Sequence, residues 1–272
     1  MDTRAILDVA RAAGRAAVAI HRAHLGRVSV EQWSEKGAAD LVSHVDHEAE
    51  RAIVDIIHDR FPGHAFLAEE GTRAAFDRGP ERSEDALWVI DPLDGTTNYL
   101  HAYPMYAVSI AFLHRGRTEV GLVINGAAGE EWHAIRGGGA FKDGRPIRVS
   151  ERLRLSQALI GTGFPFRSLE LLPAYLTQFD KVLRRVSGVR RAGSAAIDLC
   201  HVASGYFDGF WELVLAPWDV AAGALIIREA GGIVTTMAGE EDVVRPRTSI
   251  LAGNPTIYAE LARLLGVVRQ AA

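Results

Sequence analysis

The run Trp88-Val89-Ile90-Asp91-Pro92-Leu93-Asp94-Gly95-Thr96-Thr97-Asn98 sets two carboxylates three residues apart, followed at once by a glycine, two hydroxyls and an amide. Hard divalent cations bind carboxylate oxygens, and phosphate binds the bare N–H groups of a helix start. This stretch offers both. Asp-Pro and Asp-Gly pairs are ordinary turn formers, so either pair alone says little. Glu69-Glu70 adds two adjacent acids, which repel unless something positive compensates them. A solvated turn is the plainer account of that pair. Asp219, in Pro217-Trp218-Asp219, falls in the first turn of a predicted helix, where its charge complements the helix dipole without any metal. Lys36, ahead of Gly37-Ala38-Ala39-Asp40, reads as a surface-loop lysine. Asp46, among Ser43, His44 and His47, reads as an exposed acid at a helix start.

The elements that must position these groups follow from periodicity. Trp88-Val89-Ile90 is a short apolar strand, and Pro92 is expected to end it. Gly95 then permits a sharp turn, and Thr96-Thr97-Asn98 open a helix. An amphipathic helix is predicted over 2–24. A second, over 44–60, rests on Val45, Ala49, Ile53, Ile56 and Ile57 at helical spacing. Strands are predicted at 65–68, 106–113, 119–124, 131–136 and 140–149. Gly137-Gly138-Gly139 lacks the Lys-Ser/Thr ending of a nucleotide loop and reads as a bend between two strands. Beyond residue 150 strands and helices alternate. Strands fall at 158–160, 233–236 and 250–252, and helices at 169–186, 195–204, 216–230 and 256–267. The expectation is a mixed α/β chain of two packed halves, 1–150 and 151–272.

Composition narrows the class. A hydrophobic content of 48% with 24% charged residues fits a folded enzyme and excludes a disordered chain. A formal charge of −4 leaves no nucleic-acid footprint. Arg115, Arg117, Arg184, Arg185, Arg190 and Arg191 read as solvated surface charges. No run approaches the roughly 20 apolar residues of a membrane span. The single cysteine, Cys200, rules out an internal disulfide and reads as an inert buried thiol. No membrane, no nucleic acid and a cytoplasmic setting are the expectations.

Together these motifs resemble the inositol monophosphatase family, within the wider group of metal-dependent, lithium-sensitive sugar phosphatases. The run from Trp88 to Asn98 is similar to its first signature. Trp218-Asp219-Val220-Ala221-Ala222-Gly223, leading to Glu229-Ala230-Gly231-Gly232, is similar to its second. Phe66-Leu67-Ala68-Glu69-Glu70 and the segment from Lys36 to Asp46 fall in the same order and spacing. The resemblance implies a layered αβαβα sandwich, a homodimer and two to three Mg²⁺ ions. It implies metal ligands at Glu69, Asp91, the Leu93 carbonyl, Asp94 and Asp219, with Asp91 bridging two ions. The N–H groups of Gly95 and Thr96 would cradle phosphate, and Thr96 with Asp46 would position and deprotonate the attacking water. Gly193, Ser194, Ala195 and Glu212 would contact a polyol ring. Two metals about 3.5–4 Å apart stabilise attacking and leaving oxygens together, which suits such a set to phosphoryl transfer.

The expected activity is hydrolysis of a small polyol phosphate, inositol 1-phosphate first. Fructose bisphosphatase, histidinol-phosphate phosphatase and 3′-phosphoadenosine phosphatase activities are the alternatives on similar scaffolds. An interaction protein with vestigial catalysis is the alternative of another class. Gly161-Thr162-Gly163-Phe164-Pro165-Phe166-Arg167 resembles the bacterial branch and is expected to border the substrate pocket. Asn125-Gly126-Ala127-Ala128 lacks a proline often found in relatives, which predicts a local loop change. His101 and Tyr103 are expected to pack.

Overall fold

A computed structural model describes residues 1–28, 33–37, 40–71 and 85–267, with the side chains of 34–37, 40 and 41 excepted. Helix α1 (Thr3–His24) starts at Asp2, whose carboxylate accepts from the N–H groups of Arg4 and Ala5, both at 3.1 Å. The hairpin of β1 (Ser34–Gly37) and β2 (Asp40–Val42) takes the place of the expected Lys36 loop. Ala38 and Ala39 lie outside the described residues. Helix α2 (His44–Arg60) matches its predicted span and buries Val45, Ala49, Ile53 and Ile57, each one helical turn from the next.

Seven strands then line up in chain order: β3 (Ala65–Ala68), β4 (Ala86–Asp94), β5 (Ala107–His114), β6 (Arg117–Asn125), β7 (Glu131–Ile135), β8 (Gly139–Lys142) and β9 (Arg145–Pro146). Only β3 and β4 are parallel; the rest form an antiparallel meander. Alternation assigns the faces. Trp88, Ile90, Val108, Ile110 and Phe112 pack under α1 and α2. Val89, Ala107, Ala111 and Val123 face the other way. Full burial of a Val, Ile or Phe side chain contributes about 1.5–3 kcal/mol. The strand expected over 140–149 is two short strands, because Asp143 and Gly144, both at positive φ, turn the chain between them.

The five-residue helix α3 (Thr96–Leu100) follows β4. After residue 150 come β10 (Leu159–Thr162), α4 (Leu172–Leu183), β11 (Gly188–Arg190), α5 (Ala195–Ala203), β12 (Gly209–Leu215), α6 (Pro217–Glu229), β13 (Ile233–Thr235), β14 (Thr248–Gly253) and α7 (Pro255–Leu265). Their strands form a five-stranded mixed sheet, β11-β10-β12-β14-β13. The predicted 169–186 helix is shorter: a 3₁₀ turn at Leu169–Leu171 leads into α4, whose first turn carries Pro173. Strands β11 and β12 were not predicted.

The layers are αβαβα. Helices α5 and α6 fill the space between the sheets, meeting Val89 and Val123 of one and Phe210, Ile250 and Ala252 of the other. Helices α4 and α7 cover the far face through Tyr175, Val182, Ile257 and Leu261. Cys200 sits free and buried in α5, and burial pushes its thiol pKa well up, as expected of an inert thiol. Among the described residues no helix is long and apolar enough to cross a membrane.

Candidate active site

Strand β4 does not stop at Pro92. It runs on to Asp94, with the register on β5 slipping between Asp91 (opposite Ser109) and Asp94 (opposite Ala107). A proline breaks a regular ladder because it has no N–H, but a bulge leaves that position unpaired and tolerates it. The bulge turns Asp91 and Asp94 toward one point. The Leu93 N–H donates to Asp91 Oδ1 at 3.0 Å and holds that carboxylate in place. Gly95 takes φ +87° and occupies the N-cap position of α3. A Cβ there would stand 2.9 Å from the Met105 carbonyl, so only glycine makes this turn without a shift.

Asp219 arrives from the other half, in the first turn of α6, with its Oδ2 accepting the Ala216 N–H at 2.7 Å. Ser109 fixes that helix start by donating to the Trp218 carbonyl at 3.0 Å. One carboxylate oxygen from each of Asp91, Asp94 and Asp219 lies within 4.8 Å of the other two. Burial, then the charges of Glu69, Asp94 and Asp219, push Asp91 well above the usual carboxylate range. Burial and Asp94 push Asp219 up to about 7. Negative charge this concentrated is what a divalent cation relieves, and an all-oxygen donor set suits Mg²⁺. These residues fit the ion.

Glu69 and Glu70 part company. Glu69 lines the cavity with the three aspartates, whereas the Glu70 side chain is buried toward α2, 3.9 Å from His47. The solvated-turn reading fails for Glu70. Asp46 is also buried, not exposed as the sequence suggested. Its Oδ2 accepts from the N–H and hydroxyl of Ser43, both at 2.8 Å, closing a capping box at the head of α2. Its Oδ1 faces Thr96 Oγ1 at 3.0 Å, and that hydroxyl is equally far from the Leu93 carbonyl. The one hydroxyl proton serves one acceptor at a time. Burial raises the Asp46 pKa against the bonds from Ser43.

The cavity, about 430 Å³, is walled by Glu69, Asp91, Leu93, Asp94, Gly95, Thr96 and Asp219 on the acidic side, and Gly193 and Ala195 also line it. Two residues matched to the polyol ring are placed differently. Ser194 is buried and donates to Asp94 Oδ2 at 2.5 Å while capping α5. Glu212 lies behind the wall, close against Gly163, and burial followed by Asp219 pushes its pKa up to about 8. Asn98 ties the two sides together, donating to the carbonyls of Met105 at 2.6 Å and Ala192 at 2.9 Å.

The loop expected at the pocket is there: Phe164, Pro165, Phe166 and Arg167 line the cavity. Arg191, read as a solvated surface charge, lines it too. Sequence reasoning also missed Val214, a cavity residue at φ +61° in a β12 bulge, and Asp198, a buried acid of α5. A branched residue in that region costs about 1–3 kcal/mol and is held only by its surroundings. The one visible signal for Asp198 was an acid inside an otherwise apolar helical run. Gly126, in the segment where a local loop change was expected, packs against Tyr106: a Cβ there would stand 2.4 Å from its ring.

The inositol monophosphatase family model matches residues 2–270. A Nus factor SuhB of Pseudomonas aeruginosa is 43% identical over 258 residues, covering 94% of each chain. An inositol-1-monophosphatase of Mesorhizobium japonicum is 42% identical over 266 residues, covering 97% of each. The crystal structure of the extragenic suppressor protein suhB from Bartonella henselae superposes with a TM-score of 0.87 at 41% identity, covering 96% of this chain and 98% of that one. This chain therefore belongs to the inositol monophosphatase family, a family of phosphatases.

Proposed function

We propose that the chain is a Mg²⁺-dependent cytoplasmic phosphatase that hydrolyses small polyol phosphates, inositol 1-phosphate first among them. The observation that carries this reading is the meeting of Asp91, Asp94 and Asp219 in the cavity that also holds Thr96, itself bonded to Asp46. Glu69, Asp91, Asp94, Asp219 and the Leu93 carbonyl would hold the metal. When bound, Mg²⁺ would neutralise charge on the transferring phosphoryl group. Thr96 would orient the attacking water and Asp46 would take its proton, a task that a raised carboxylate pKa favours near neutral pH. The N–H groups of Gly95 and Thr96 hold phosphate oxygens, and Gly193 and Ala195 bound the polyol. Most of the acids come from the 1–150 half, while Asp219 and the polyol wall come from 151–272.

We read the working form as a homodimer. Leu169, Leu172, Leu176 and Leu183 are exposed on the 3₁₀ turn and α4, at steps of three, four and seven residues, the spacing of a helix-pairing seam. The relative named as a Nus factor supports a second reading, a protein partner alongside catalysis. The test is phosphate release from a panel of phosphate monoesters, with EDTA and then Mg²⁺ added. Release from inositol 1-phosphate that EDTA stops and Mg²⁺ restores supports the proposal; full activity without metal refutes it. A pull-down comparing wild type with Asp94→Asn tests whether partner binding is separate from the metal site.

A further inference from the structure

Among the described residues, the non-glycines at positive φ are Ala102, Arg115, Asp143, Val214 and Arg247. Four of them are exposed turn residues. Val214 differs: it lies inside β12, half-buried, on the wall of the cavity. It is also the only one branched at Cβ, the type of side chain that this backbone region tolerates least.

The bulge in β12 accounts for the backbone but not for the valine. Between Glu212, opposite Ile250, and Leu215, opposite Thr248, both Leu213 and Val214 face the single residue Ser249. Residues two apart share a face in a regular strand. Here Leu213 packs with the cluster under α4 and α7, and Leu215 with the cluster between the sheets. A left-handed residue between them makes that switch, and glycine makes it without strain. What glycine would not supply is an isopropyl group at the cavity wall. The neighbouring part of that wall is braced. Phe164 meets Tyr175 edge to face at 5.6 Å, and the Arg191 guanidinium carbon stands 5.6 Å from the ring centre of Phe164 and 5.1 Å from that of Phe166. Close-packed walls of this kind yield little to a ligand that presses on them.

Resting on the phosphatase reading above, we propose that Val214 is a specificity-determining residue whose side chain fills room that glycine would leave open and so limits the alcohol portion of the substrate. The favoured class is compact phosphate monoesters, the bare ring rather than a ring carrying an added group toward β12. The strain at Val214 is retained because the side chain it carries selects the substrate.

The experiment measures kcat/KM with Mg²⁺ for inositol 1-phosphate and for its mono-O-methyl ethers, one for each remaining hydroxyl. The proteins are wild type, Val214→Gly, Val214→Ala and Val214→Ile, with circular dichroism to check that each is folded. One methyl group against a close-fitting wall is worth about tenfold or more, so wild type should reject at least one ether by that factor. For that ether the ratio to the parent compound should rise most in Val214→Gly, less in Val214→Ala, and fall further in Val214→Ile, chiefly through KM. Wild type accepting every ether as well as the parent overturns the inference. Ether-to-parent ratios that are the same in wild type and the folded variants also overturn it, leaving Val214 a feature of the backbone alone. If wild type releases no phosphate from inositol 1-phosphate or any ether, the phosphatase reading itself fails, and this inference with it.

Discussion

His21 should set an acid limit on the stability of this fold. Its ring is fully buried between Tyr99 and Tyr106, at centroid distances of 5.7 and 5.9 Å. Neither ring nitrogen makes a well-formed hydrogen bond. Burial lowers its pKa from 6.5 to about 4, with the nearby Pro92 carbonyl pulling weakly the other way. The unfolded chain therefore takes up a proton near pH 6.5 that the folded one refuses until about pH 4. Stability from this group is complete above 6.5 and is lost as pH falls through that window. At pH 5 the loss comes to about 2 kcal/mol, against nearly none at pH 7.5. For a chain of this length that is roughly 3–4 °C of melting temperature. His21→Leu removes the titration and brings no polar atom of its own into the site. Metal-free melts of both proteins at pH 7.5 and pH 5 isolate the effect, because the acid cluster acts equally on each and cancels in the difference. The variant should gain on wild type by roughly 3–4 °C between the two pH values. Parallel curves would show that the imidazole is protonated or solvated in the fold, and would refute the reasoning.

Four further outcomes are expected. Asp94→Asn keeps an acceptor for Ser194 and Ala196 but removes a charge, so it should fold normally and lose at least about 100-fold in kcat, roughly 2.7 kcal/mol of barrier; near-native turnover at saturating Mg²⁺ would leave Asp94 a turn residue. Thr96→Ala should lower kcat and kcat/KM together by about 10²–10⁴-fold, since Gly95 and not Thr96 holds the cap position; a lower melting point with unchanged kcat would assign the hydroxyl to structure alone. Because Asp219 holds its proton up to about pH 7 without metal, the Mg²⁺ concentration for half-maximal activity should climb as pH drops below 7, and a flat profile between pH 6 and 8 would contradict it. Millimolar lithium should inhibit uncompetitively or noncompetitively toward substrate while sodium at equal ionic strength does not, and equal effects would reduce the inhibition to screening.

What the sequence made legible was what short-range patterns encode. Helix α2 was readable because Val45, Ala49, Ile53 and Ile57 repeat at helical spacing. The end of β4 was misread because Pro92 breaks an ordinary ladder, and a bulge is a property of the pair of strands rather than of one. Strand β12 escaped because its neighbours, β10 and β14, are remote in sequence, and a single buried run does not declare its partners. At the site, the first acids stood out by type and spacing. The burial of Asp46 and Glu70, the turn of Ser194 toward Asp94 and the stacking of Arg191 on two phenylalanines depend on contacts between distant segments. No local pattern carries those.

Asp94 serves two ends of the molecule: its carboxylate joins the acid cluster, and its Oδ2 also receives Ser194 and the Ala196 N–H at the head of α5. On the ribosome this fixes an order of events. The meander from β4 to β9 is built of neighbouring hairpins, while Asp94 waits for the cap of α5 and Asp91 waits for Asp219. A nascent chain that has emerged only through α5 already has the anchor but lacks the third aspartate. The third aspartate of the cluster is thus the last to be made, on α6, and a chain that ends before α6 carries only two of the three.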